Sequence, residues 1–243
     1  MAIDLKRNSV SKVLLLLLLV KCSFANTYVL PMRGALIGSL QYGYAQPGET
    51  LADVGNRYDL GLTEMRRANP GINASAVLPT ETRLMLPTQF RLPPAPHKGI
   101  VINLAEFRLY YFPPDDNVVI TMPVGIGREG FNTPLGLTKV ISKERDPVWH
   151  PTPKIRREAK KKGMMLPHAF PGGEGNPLGR HVLRLGWPTY LIHGTNRRDG
   201  IGQRVSAGCI RMLPEDIDYL FDLVAVNTPV RVINAPINPM RKA

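Results

Sequence analysis

YLIHGTNRRDGIGQRVSAGCIRM, residues 190–212, sets an apolar, strand-like run ending in a histidine before a turn-rich loop and a lone cysteine. A thiol is a useful nucleophile only as thiolate, and a free one is mostly protonated at neutral pH, so it needs a neighbouring base or cation. His193 is framed by an apolar run and lies near Cys209 in sequence; His97, His150, His168 and His181 lack that combination. Asn196, Asp199, Gly200 and Gly202 supply turn residues that let the intervening loop fold back. A hydrogen-bond approach between imidazole and sulfur is therefore expected, with an imidazolium holding a thiolate and an acceptor orienting the far ring nitrogen. Gly208 allows a tight turn that presents the amides of Gly208 and Cys209 to a developing oxyanion. Ser206 is placed to fix that turn, and Arg211 either pairs with a substrate carboxylate or braces the loop.

The 243-residue chain carries two cysteines and a net charge of +12. Residues 1–25 read as an export signal: Lys6, Arg7 and Lys12 precede the apolar run 13–20, and Ser23, Phe24 and Ala25 lead to a cleavage point. Eight strongly apolar residues are too few to span a bilayer. Cleavage after Ala25 removes Cys22, leaving Cys209 unpaired in an oxidising compartment, where cysteines usually come in pairs. It also removes Lys6, Arg7, Lys12, Lys21 and Asp4, so +9 remains. Such a surface favours an anionic partner, and outside the cytoplasm an envelope polymer or membrane surface fits better than nucleic acid. No stable membrane span is expected after cleavage.

Beyond residue 98 the chain is rich in β-branched and aromatic runs. GIVINL, FRLYYF, NVVITMPVGIG, HVLRLG, TYLIHG and PVRVIN read as strands. One helix is expected near the end, where Ile217, Leu220, Phe221 and Val224 share a face and Pro214, Glu215 and Asp216 suit the first turn. A mainly β fold follows, a sandwich or open barrel with peripheral helices. The basic stretch 154–163, KIRREAKKKG, reads as a helix or lid beside the cleft, or as a solvated charged face. Trp149, Tyr190 and Trp187 either line a substrate channel or pack in the core.

Before residue 98 lies a small α+β unit. YGYAQPGETLADVGNRY gives a strand, a turn and a helix with Thr50 and Asp53 at its start and Leu51, Val54 and Tyr58 on one face. Thr63 is expected to cap a second helix, ended by Asn69-Pro70-Gly71, and TRLMLP closes with a strand. Pro87, Pro93, Pro94 and Pro96 mark a semi-rigid connector.

The βααβ order, with PGETL and ANPGIN in place, resembles a LysM module over residues 40–88, with a Pro-rich linker at 89–97. That resemblance implies binding to N-acetylglucosamine-containing polymers such as peptidoglycan. IHGT followed by SAGCIRM, together with INLAEFRLYYF, VGIGREGFNTPLG, NPLGRHVLRL and EDIDYLF in order, resembles the L,D-transpeptidase (YkuD) catalytic domain over residues 98–234. Residues 235–243 are left as a C-terminal tail.

The second resemblance implies that Cys209 is the nucleophile, His193 the base, and Gly194 the residue whose carbonyl orients the imidazole. It implies attack on the diaminopimelate–D-alanine bond of a peptidoglycan tetrapeptide stem in the periplasm. The thioester then passes to another diaminopimelate or to a lysine of an outer-membrane lipoprotein. Many relatives have histidine where this chain has Ala207, which leaves His193 as the base. The competing readings are a non-catalytic wall-binding protein and a thiol L,D-carboxypeptidase using water. No cofactor is implied, and the histidines lack metal-ligand spacing.

Overall fold

The computed structural model describes residues 26–173 and 175–235. The expected export signal, and the C-terminal tail beyond Ala235, lie outside the described residues. The chain begins with β1 (Asn26–Val29), β2 (Leu36–Gly38), β3 (Gln41–Tyr44), α1 (Leu51–Arg57), α2 (Leu62–Ala68), β4 (Arg83–Leu86) and β5 (Gln89–Arg91). It continues with β6 (Gly99–Asn103), β7 (Arg108–Phe112), β8 (Val118–Pro123), β9 (Ile126–Gly127), β10 (Gly136–Arg145) and α3 (Pro153–Lys161). The last elements are β11 (His181–Leu185), β12 (Leu191–His193), β13 (Arg204–Ser206), β14 (Ile210–Arg211), α4 (Pro214–Leu223) and β15 (Pro229–Ile233).

Every residue of β6 and β7 is buried. These strands read as unbroken apolar runs, not as alternations, because both faces of the sheet are covered. Ile100, Ile102, Leu109, Tyr111, Ile120 and Met122 turn to one core, shared with Ile217, Leu220 and Phe221 of α4. Val101, Tyr110, Phe112 and Val119 turn to a second core, shared with Leu51, Val54, Met65, Leu84 and Phe90. Each such large apolar side chain contributes about 1.5–3 kcal/mol as an upper bound.

Nine strands form one sheet in the order β1-β8-β7-β6-β15-β10-β11-β12-β14. β10 pairs with β15 through Gly136–Lys139 and with β11 from Val140 onward, and its register shifts between Val140 and Ser142. Such a bulge bends a strand. The sheet curls there, so strands from both ends of the order meet across the first core, giving the expected mainly β, sandwich-like architecture.

In the small unit β3 pairs antiparallel with β4. Thr50 caps α1: its hydroxyl accepts from the Asp53 amide, and the Asp53 carboxylate accepts from the Thr50 amide at 2.8 Å. Helix α2 corrects the expectation for Thr63. Gly61 is its N-cap, with the Glu64 carboxylate accepting the Gly61 N–H at 2.8 Å, while Thr63 Oγ1 donates to Gly202 O at 2.5 Å. A partner from the other half of the chain took the hydroxyl that local sequence offered as a cap.

The Pro-rich connector is packed along the sheet. β5 pairs with β2, and Phe90 and Leu92 enter the second core. Arg108, fully buried on β7, donates to both carboxylate oxygens of Glu64 at 2.8 and 2.7 Å and to Asp59 O at 2.9 Å. Its guanidinium also lies 4.1 Å from the Phe90 ring centroid. A charge buried that deeply persists only where it is paired, so this ion pair ties α2 to the sheet. Among the described residues no helix is long and apolar enough to cross a membrane.

Candidate active site

β12 and β14 run parallel, with Ile192 opposite Ile210 and His193 opposite Arg211. Alternation sends Ile192 and Ile210 into the first core. It leaves Leu191, His193, Cys209 and Arg211 on the other face, where Leu191 and Cys209 meet Leu178, Val182 and Trp149. The expected neighbourhood of His193 and Cys209 is thus built by one strand pairing.

His193 is 4% exposed. Its Nδ1 donates to Gly194 O at 2.5 Å, which leaves Nε2 with its lone pair. Gly194 therefore stands where an orienting carbonyl was expected. Burial, reinforced by the Arg211 cation, pushes the His193 pKa down to about 4, against the pull of the Gly194 and Leu178 backbone. Burial raises the Cys209 thiol to about 11, opposed by the Leu191 backbone and by Arg211. Cys209 Sγ donates to Thr189 O at 3.6 Å, not to His193.

The sequence led us to expect an imidazolium–thiolate pair; burial here works against both of those charges. Low dielectric disfavours both charges, and Arg211 already places one cation on the face that an imidazolium would share. What the arrangement offers is a thiol and a neutral imidazole on one face of the sheet.

The turn before Cys209 is fixed from both sides. Ser206 Oγ donates to Cys209 O at 2.6 Å and accepts from Gly208 N–H at 3.1 Å. Thr133 Oγ1 donates to Gly208 O at 2.9 Å and accepts from Gly127 N–H at 3.1 Å. Ser206 does fix the turn, and in doing so it takes the Gly208 amide that was expected to face an oxyanion. Of the two expected donors, the Cys209 amide alone has no protein acceptor among the described residues. Gly208 has φ +105°, and a Cβ there would lie 2.9 Å from the Tyr190 ring, so no other residue fits.

Tyr190 thus braces the turn and packs edge-on against Trp187, with centroids 6.3 Å apart. Trp149 packs beside Cys209 and lies 5.0 Å from the Phe170 ring. The basic stretch forms α3, capped by Thr152. Lys154 Nζ donates to Gly130 O at 2.6 Å and lies 3.8 Å from the Phe131 ring, which Arg128 covers at 4.0 Å. The Phe131 and Asn132 carbonyls border Gly208, so α3 is fastened to a loop that touches the turn before Cys209.

Arg211 is largely buried. Its Nε has no partner, and its guanidinium makes no hydrogen bond or ion pair among the described residues. A desolvated cation that feels the Asp199 charge but forms no ion pair with it, on the face of a thiol, is suited to a ligand carboxylate. Sequence reading missed Thr133 and the backbone of Thr189 and Leu178. Thr133 sits within GREGFNTPLG, and its buried, doubly bonded hydroxyl depends on a strand pairing that local sequence does not display.

The L,D-transpeptidase catalytic domain family, YkuD, matches residues 97–232. The probable L,D-transpeptidase ErfK/SrfK of Escherichia coli K12 is 46% identical over 88% of this chain and 70% of its own length. The probable L,D-transpeptidase YbiS of the same strain is 45% identical over 89% of this chain and 72% of its own. The solved catalytic domain of the Enterococcus faecium L,D-transpeptidase aligns with 56% of this chain and 96% of its own, at 22% identity and a TM-score of 0.42. With a family match across the β domain and relatives sharing over two-fifths of its residues along most of its length, this chain belongs to the L,D-transpeptidase family and is an enzyme of that kind.

Proposed function

We propose that this L,D-transpeptidase acts on peptidoglycan in the periplasm, with Cys209 attacking the diaminopimelate–D-alanine bond of a tetrapeptide stem. His193 Nε2 takes the thiol proton as the S–C bond forms and returns it to the departing D-alanine amine as the C–N bond breaks. An amine then attacks the thioester carbonyl, releasing the sulfur and leaving a new amide. The acceptor is the side-chain amine of another diaminopimelate or of a lipoprotein lysine. The Cys209 amide donates to the oxyanion, and Arg211 binds a stem carboxylate. The small βααβ unit holds the glycan as a LysM module.

The observation that carries this reading is the shared face of Cys209, His193 and the unpaired Arg211. Intact-mass measurement after incubation with a free tetrapeptide tests it. The expected adduct is the donor less D-alanine, lost on adding a diaminopimelate amine and absent in Cys209→Ala. A wild-type enzyme that releases D-alanine but gives only the tripeptide acid in the presence of amine would be a carboxypeptidase instead. Wild-type protein without an adduct or D-alanine release would overturn the reading.

A further inference from the structure

The turn between α1 and α2 is pressed against the loop that runs from His193 to Cys209. A Cβ on Gly202 would lie 2.4 Å from Leu62 N and 2.5 Å from Gly61 Cα, and one on Gly61 would lie 2.7 Å from Gly202 Cα. Gly202 also has φ +75°. Two backbones meet here with no side chain between them, which only glycine permits. Leu62 N–H donates to Ile201 O at 3.2 Å, Thr63 Oγ1 to Gly202 O at 2.5 Å, and Asn56 Nδ2 to Arg198 O at 3.4 Å.

The same loop is held on its far side by the strand that flanks the active site. Gly202 N–H donates to Val124 O at 3.1 Å, and Ile126 N–H to Gln203 O at 2.9 Å. Gly125 exchanges two 2.8 Å hydrogen bonds with the backbone of Arg211. Gly200 packs against the Arg211 guanidinium so closely that a Cβ would come within 2.9 Å of it. An unbroken line of backbone contacts therefore leads from the α1–α2 turn, through residues 198–203, to Arg211, two residues after Cys209. The shared second core and the Arg108–Glu64 ion pair fix the turn's position on the sheet.

We propose that the small βααβ unit is a positioning element of the active site, with Thr63 and the Gly61–Gly202 contact as positioning groups. By holding loop 198–203, they seat Arg211 and the Ser206–Cys209 turn for acyl transfer. The inference rests on Cys209 acyl transfer, but it differs from a wall-binding role: it requires the small unit for chemistry on a soluble peptide that carries no glycan. Misplacement by about 1 Å costs a reaction on the order of 100-fold, so losing one anchor of such a loop has a measurable effect.

The test uses the full chain and a free tetrapeptide, with rates normalised to titratable Cys209 thiol so that an unfolded fraction does not count. Thr63→Val keeps the side-chain shape and loses the donor; Thr63→Ser keeps the donor. The expected result is a fall in kcat of about tenfold for Thr63→Val with KM little changed, and recovery in Thr63→Ser. Asn56→Ala, which removes only the contact to Arg198, is expected to lower kcat in the same direction and serves if Thr63→Val does not fold. Wild-type turnover with unchanged kcat in the folded variants would overturn the inference while leaving the acyl-transfer reading intact. A wild-type enzyme that never acylates would instead overturn the function on which it rests.

Discussion

His193 faces Arg211 across the parallel pair of β12 and β14, with Cys209 on the same side of β14 two residues earlier. One cation therefore acts on both groups, lowering the imidazole and lowering the thiol. A carboxylate arriving at Arg211 would neutralise that cation, raising the basicity of His193 as the substrate binds.

Arg211→Met is expected to reduce kcat/KM on a tetrapeptide with free carboxylates by roughly 10- to 100-fold, since a charged hydrogen bond contributes about 1.5–3 kcal/mol. A substrate whose carboxylates are amidated should lose far less between wild type and variant. Equal losses on both substrates would mean that Arg211 only braces the loop.

Alkylation of the resting enzyme by iodoacetamide reports the ionisation of Cys209 directly. With the thiol raised to about 11, the rate is expected to be slow at pH 6 and to climb about tenfold per pH unit through pH 8–10. A preformed ion pair would give a fast rate already at pH 6, flat above it. His193→Ala should leave the climb in place while abolishing turnover on the stem peptide, since in the proposed mechanism the imidazole acts as the sulfur attacks and not before.

Ser206→Ala removes a hydroxyl that serves two backbone groups of the turn at Cys209, Cys209 O at 2.6 Å and Gly208 N–H at 3.1 Å. The Gly208 amide is buried and the Cys209 carbonyl partly so, and a buried group left unsatisfied costs about 1–3 kcal/mol. A loss of acylation rate of tenfold or more is expected, with a Tm lower by several degrees. Ser206→Thr, which keeps the hydroxyl, should restore most of both; a Ser206→Ala enzyme with wild-type acylation would show that the turn holds itself.

The apolar runs of β6, β7, β8, β11, β12 and β15 were evident in the sequence, and a lone thiol near one strand-borne histidine made Cys209 and His193 the candidate pair. β10 was not evident. Its charged Lys139, Lys143, Glu144 and Arg145 mask a strand in which only Val140 is fully buried. The ionisation state was also hidden, because Arg211 acts on His193 through a parallel register that forms only once the sheet closes. The same holds for Thr63, whose cap was displaced by a carbonyl 139 residues away. Local pattern gives elements and reactive groups; their electrostatics and anchors come from long-range contacts.

The junction between the small unit and the β domain also buries two carboxylates with unpartnered oxygens. Asp59 Oδ1 and both carboxylate oxygens of Asp216 have no hydrogen-bond partner among the described residues. Burial raises Asp59 from 3.8 to about 6, opposed by Arg108 and helped by Glu215; Asp216 is raised further, by burial and by the charges of Asp59 and Glu215. A carboxyl raised on folding keeps a proton that the unfolded chain has lost, so its contribution is fully present below about pH 4 and is lost as pH rises through 6. Asp59→Asn removes that loss. Asp59 sits at φ +53°, a conformation asparagine tolerates, so the exchange adds no backbone strain. A shift of about two units corresponds to roughly 3 kcal/mol, or several degrees in Tm for a chain of this size. The difference in Tm between Asp59→Asn and wild type is expected to be near zero at pH 4 and positive at pH 8. Taking the difference cancels the opposite contribution of His193, whose neutral form is lost as pH falls through 4. A variant less stable than wild type at pH 8 would show that the Asp59 charge is held by Arg108 and stabilises the junction instead.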